Sequence, residues 1–102
     1  MIDIIEQNRD QLIALCEQTE IKGLWLFGSA ATGNWDPERS DLDFLFDIGD
    51  YNATAGRRAM RLASGLEKIF GENFDLVSRP AIRRDDFRAN VERTKVQIFP
   101  VS

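Results

Sequence analysis

The 102-residue chain has no histidine. That absence excludes Ser-His-Asp and Cys-His nucleophilic centres, imidazole general bases and histidine-ligated zinc sites. One cysteine, Cys16, permits no internal disulfide, and its place in an apolar helical pattern marks it as a small core residue. No apolar run approaches the roughly 20 residues that cross a bilayer. The opening Met1-Ile2-Asp3 lacks the basic start and apolar core of a secretory signal, so a cytoplasmic protein with no membrane partner is expected. Basic residues are outnumbered by acidic ones, 13 to 17, and the net charge of -4 argues against direct nucleic-acid binding. It leaves room for a nucleotide site in which a metal ion supplies the positive charge. Repeats, low-complexity tracts and linkers are also missing, which predicts a single domain over residues 1–102, large enough to bury a core without staples.

What is present is concentrated between Leu24 and Ile48. The apolar run Leu24 to Phe27 is long enough for a buried strand and too short for a helix. It stops at Gly28-Ser29, where the backbone can turn sharply and point amide N–H groups outward. The return run alternates: Leu42, Phe44, Phe46 and Ile48 share one parity, and Asp41, Asp43, Leu45 and Asp47 the other. As a strand, this places Asp41 and Asp43 side by side on one face. Two carboxylates so placed repel unless a cation lies between them, and Mg²⁺ suits carboxylate oxygens and substrate phosphates. Gly28 to Gly33 is no P-loop, because no Gly-Lys-Ser/Thr follows.

The remaining chain frames this motif. Residues 3–18 read as a helix, with Asp3 and Glu6 as a capping box and Ile5, Leu12, Leu15 and Cys16 on one stripe. Residues 30–40 carry Gly33-Asn34 and Asp36-Pro37 turn signals and read as a loop, with room for one helical turn after Ser29. Ala59, Leu62, Ala63, Leu66, Ile69 and Phe70 repeat with helical spacing up to a Gly71 cap. Arg57, Arg58 and Arg61 fall off that stripe, which predicts a solvated face. Residues 74–78 form a short strand, Pro80 opens a helix to about Arg93 with Ile82, Phe87 and Val91 facing in, and residues 96–99 form a last strand. Trp25 is assigned to the core; Trp35 is either a contact residue or a cover for the strand ends, and Asp47 a cap or surface group. The order α-β-β-α-β-α-β predicts a small mixed β-sheet with helices packed on it, in the α/β class.

Gly28-Ser29 after a strand, then Asp41-Leu42-Asp43 opening the next, resembles the signature of the DNA polymerase β-type nucleotidyltransferases. The likeness is greatest to the minimal nucleotidyltransferase (MNT) antitoxins paired with HEPN-domain toxins, and it spans nearly the whole chain. The resemblance implies the polymerase β-like fold and a third carboxylate on a later strand, which Asp75 matches by element order. It further implies Gly28 and Ser29 as nucleotide-binding residues, and Asp41, Asp43 and Asp75 as metal-binding and catalytic residues holding two Mg²⁺ ions. The activity implied is transfer of AMP from ATP to a hydroxyl, a tyrosine by family likeness, on a HEPN toxin in a hetero-oligomer. A contact-only antitoxin and transfer to a small molecule such as an aminoglycoside are the alternatives. No Lys or Arg occurs between Lys22 and Arg39, so phosphate binding must rest on amides, Ser29 and metal, or on a cation such as Arg39, Arg79 or a partner's residue.

Overall fold

The apolar runs and alternating stretch become four strands, and the helical stripes cover them. The computed structural model describes residues 1–82 and 84–101. In chain order these are α1 (Asp3–Gln7), α2 (Arg9–Gln18), β1 (Gly23–Phe27), α3 (Ser29–Thr32), β2 (Leu42–Asp47), α4 (Ala55–Phe70), β3 (Phe74–Ser78), a 3₁₀ turn (Arg79–Ala81), α5 (Asp85–Thr94) and β4 (Val96–Phe99). The sheet order is β3-β2-β1-β4. β1 runs antiparallel to both β2 and β4, whereas β2 and β3 are parallel. A parallel pair needs a crossover, and α4 supplies it. The mixed α/β sheet domain expected from the sequence is therefore the architecture observed.

The two parities of β2 go to two different environments. Leu42, Phe44 and Phe46, with Leu24 and Leu26 of β1, join Leu12 and Cys16 of α2 and Leu62 and Leu66 of α4 in the main core. Phe44 is fully buried, its ring 5.6 Å from Phe70 and 6.3 Å from Phe74. On the opposite face a smaller cluster gathers Trp25, Phe27, Leu45, Ile82 and Val91. Trp25 is buried there as expected, beneath the Arg79 guanidinium at 5.1 Å. Trp35 packs against the main core, which answers to the covering role.

Four expectations need correction. The first helix is broken at Asn8, whose amide Nδ2 donates to the Ile4 carbonyl and competes with the helical backbone pattern. The capping box does not form either: Ile2 occupies the cap position without a side-chain bond, and Glu6 pairs with Arg9 instead. Pro80 opens only a 3₁₀ turn. Arg84 is extended, and α5 starts at Asp85-Asp86, where two carboxylates complement the helix N-terminus; Arg83, within the expected helix, lies outside the described residues. Finally, Arg58 is buried rather than solvated. Its guanidinium donates to the carbonyls of Glu20 at 3.0 Å, Ile48 at 3.0 Å and Asp50 at 2.7 Å, and its Nε to Thr54 Oγ1 at 3.1 Å. Two connections, the one before β1 and the one after β2, thereby gain a donor for carbonyls without sheet partners. Arg57 and Arg61 are exposed as expected. Among the described residues no helix is long and apolar enough to cross a membrane.

Candidate active site

Strand direction brings the motif residues to one end of the sheet. β1 ends at Phe27, opposite Asp43 near the start of β2, and Asp43 is in register with Asp75 near the start of the parallel β3. Asp43 and Asp75 thus share the face that carries Leu45 and Val77. Leu42 N–H donates to the Asn73 carbonyl at 3.1 Å, so the two strand entrances are tied together. Asp41 stands one residue before β2, exposed, not side by side with Asp43 within the strand as the alternation implied. The reason is local: β1 stops at Phe27 and Gly28 turns the chain away, leaving no partner opposite Asp41.

Gly28 makes that turn with φ 69° and ψ -150°. A side chain there would be strained by the positive φ and would also collide with Asp43, since a Cβ would lie 2.4 Å from Asp43 Oδ2. The backbone consequently passes directly over the carboxylate. Ser29 then opens α3, half-buried; the Ala31 and Thr32 N–H groups are taken by the Gly28 carbonyl, while the amides before them precede the first internal helix bond.

The site is electronegative. Burial, then the charges of Asp75 and Asp41, hold the Asp43 carboxyl above its usual range. A cavity of about 460 Å³ opens over it, with Gly28, Asp43 and Asp75 at its polar end. Among the described residues no three carboxylate, cysteine or histidine side chains are gathered tightly enough to cage a metal ion. The donor chemistry nevertheless fits Mg²⁺, which binds one or two carboxylates, keeps waters and takes substrate phosphates in preference to an all-protein cage. Asp43, Asp75 across from it and Asp41 one residue outside the strand are the carboxylates that would hold such an ion.

Arg79 is not available as a phosphate cation. It follows the far end of β3, where its guanidinium makes a two-pronged pair with Glu92 at 2.9 and 3.1 Å and approaches Asp47 at 3.9 Å. Asp47 also accepts from the Gly49 N–H at 2.9 Å, a turn-capping role in line with expectation. Sequence reasoning missed the α5 wall of the cavity. Phe87, expected to face in, is 43% exposed and lines the cavity with Asn90 and Thr94. Their i, i+3, i+7 spacing was the available signal.

Comparison with known proteins identifies the family and the fold. A Methanocaldococcus jannaschii protein named as a candidate protein adenylyltransferase, MJ1379, is 27% identical over 96 residues, covering 94% of this chain and 95% of that one. Among solved structures, one described as a candidate minimal nucleotidyltransferase superposes with TM-score 0.74 at 27% identity, covering 93% of this chain and 95% of its own. A toxin–antitoxin crystal structure with AMP-PNP shares the fold at TM-score 0.67 and 21% identity, covering 93% of this chain and 75% of its own. A MntA–HpeT toxin–antitoxin mutant does so at 0.64 and 18%, with the same coverage. The family model for the nucleotidyltransferase domain matches residues 9–98, nearly the whole chain, and the chain belongs to that family.

Proposed function

We propose that this chain, as one domain over residues 1–102, is a Mg²⁺-dependent adenylyltransferase that moves AMP from ATP to a hydroxyl of a toxin partner and so acts as its antitoxin. The observation that carries the reading is the register of Asp43 opposite Asp75 beneath the Gly28 turn, all lining one cavity. In this reading the amides at Gly28-Ser29 and the Ser29 hydroxyl hold the outer phosphates. Asp41 and Asp43 position the nucleotide-bound ion, and Asp75, across from Asp43, faces the incoming hydroxyl. Bound Mg²⁺ would neutralise phosphate charge and lower the pKa of the attacking hydroxyl. The nucleophile bonds to the α-phosphorus as the bond to the pyrophosphate oxygen breaks; pyrophosphate leaves and the hydroxyl proton passes to solvent. The protein's own contribution is alignment and charge.

Two toxin–antitoxin structures with this fold support the choice of partner, and the AMP-PNP in one of them supports an adenine nucleotide. The HEPN identity of the toxin and tyrosine as its acceptor rest on the sequence resemblance. A contact-only antitoxin is the second reading, favoured by a cavity lining that contains no Lys or Arg among the described residues. Incubation with ATP, Mg²⁺ and the product of the neighbouring gene, followed by intact-protein mass spectrometry, separates the two. The adenylyltransferase adds one or more AMP masses to the partner, and the Asp41→Asn/Asp43→Asn variant adds none. A partner inhibited equally well by parent and variant, without added mass, establishes contact-only neutralisation.

A further inference from the structure

The cavity over Asp43 has two chemically different ends. Among the described residues its charged side chains, Asp43 and Asp75, gather beside Gly28. Phe27 lies across from Asp43 on the sheet, and beyond it the lining turns apolar, with Val77 from the sheet and Phe87 and Val91 from α5. Phe87 presents its ring to this space while remaining 43% exposed, and meets Phe27 edge-on, with centroids 6.4 Å apart and planes at 76°. Part of the Phe87 ring is therefore left uncovered beside the apolar part of the lining. Asn90, one helical turn on, borders the same cavity with an amide; its Oδ1 accepts from the exposed Arg93 at 2.7 Å.

An exposed phenylalanine costs apolar surface in water and contributes little to the small cluster beneath it. A planar, uncharged ligand with polar edges would cover that surface by stacking and reach the Asn90 amide by hydrogen bonding. A triphosphate held at the polar end would leave its base directed along the cavity. We propose that the α5 end of this cavity is a nucleobase subsite, with Phe87 as the ring on which the base stacks. The inference rests on the nucleotide reading of the Gly28–Asp43–Asp75 end and adds the residues that grip the other half of the same substrate. It also accounts for the exposure of Phe87, whose position four residues before Val91 would otherwise bury it.

The test is calorimetric titration of the full chain with Mg²⁺-ATP and, separately, with Mg²⁺-tripolyphosphate, which has the phosphates and no base. Phe87→Ala should weaken ATP binding about tenfold or more and leave tripolyphosphate within about twofold of the parent. Phe87→Tyr, which keeps the ring face, should restore ATP affinity. Equal losses for both ligands, or an unchanged ATP affinity in Phe87→Ala, overturn the subsite while leaving the phosphate end in place. So does a Phe87→Ala variant that loses only affinity for the protein partner, since Phe87 would then serve the acceptor. A parent that binds neither ligand removes the nucleotide reading itself, and the subsite with it.

Discussion

The two faces of the sheet are built to different standards. One is closed: Leu24, Leu26, Leu42, Phe44 and Phe46 meet α2 and α4 in a continuous core of fifteen buried residues among those described. The other holds a cluster of five, under a helix with one buried residue, Val91, beside an open cavity. The same strands supply both, since alternate residues point to opposite faces. Stability is concentrated on one side, which frees the other to keep a half-buried carboxylate and an exposed aromatic ring, each unfavourable on its own.

The largest expected effect tests this asymmetry with one kind of substitution. Leu26 and Leu45 are both fully buried strand leucines, one on each face. Leu26→Ala should cost about 4–5 kcal/mol and Leu45→Ala about 2–3 kcal/mol, because the thin face can relax around the void. Urea denaturation of the two variants measures the difference. Equal costs would mean that the faces are packed alike.

Next comes Arg58, at the end of the sheet away from the cavity. Arg58→Met should cost about 2–4 kcal/mol, since the carbonyls of Glu20, Ile48 and Asp50 lose a charged donor in a buried place. Arg58→Lys should recover little, as a single ammonium cannot span the positions a planar guanidinium reaches. Thermal melting of both variants checks this, and nucleotide binding should be untouched in any fraction that folds.

How much of this was legible in the sequence follows from the range of each interaction. Strand alternation and helical spacing are local, so β1, β2, α4 and the split of Phe44 from Asp43 could be read directly. The Gly28-Ser29 and Asp41-Leu42-Asp43 pairing carried the site because its parts lie at adjoining strand ends. Arg58 could not be placed, since the carbonyls its guanidinium reaches on Glu20, Ile48 and Asp50 lie 8 to 38 residues away and carry no residue signature. Phe87 was misplaced because helical spacing gives a stripe, not whether that stripe is covered. Asp41 was put within the strand because the pattern contains no sign of where a neighbouring strand ends.

A smaller effect belongs to the acidic end. Asp43 has its carboxyl raised by burial and by the neighbouring Asp75 and Asp41 charges, so its ionised form opposes folding. That penalty is fully present at neutral pH and disappears as pH falls through the raised value and then below the unfolded one. Asp43→Asn should therefore stabilise the metal-free protein at neutral pH by less than about 1 kcal/mol, an advantage that shrinks toward acid pH. Parallel urea titrations across that range provide the check.

The central claim is that this acidic end is a metal–nucleotide site, and melting with Mg²⁺ and ATP addresses it most directly. At about one hundred times the dissociation constant, binding contributes roughly 2.7 kcal/mol, which should raise the parent's Tm by about 10 °C. In Asp43→Asn the metal-free Tm should equal or exceed the parent's, and the added Mg²⁺ and ATP should leave it unmoved. A variant that responds as the parent does, or a parent that does not respond at all, would contradict the account.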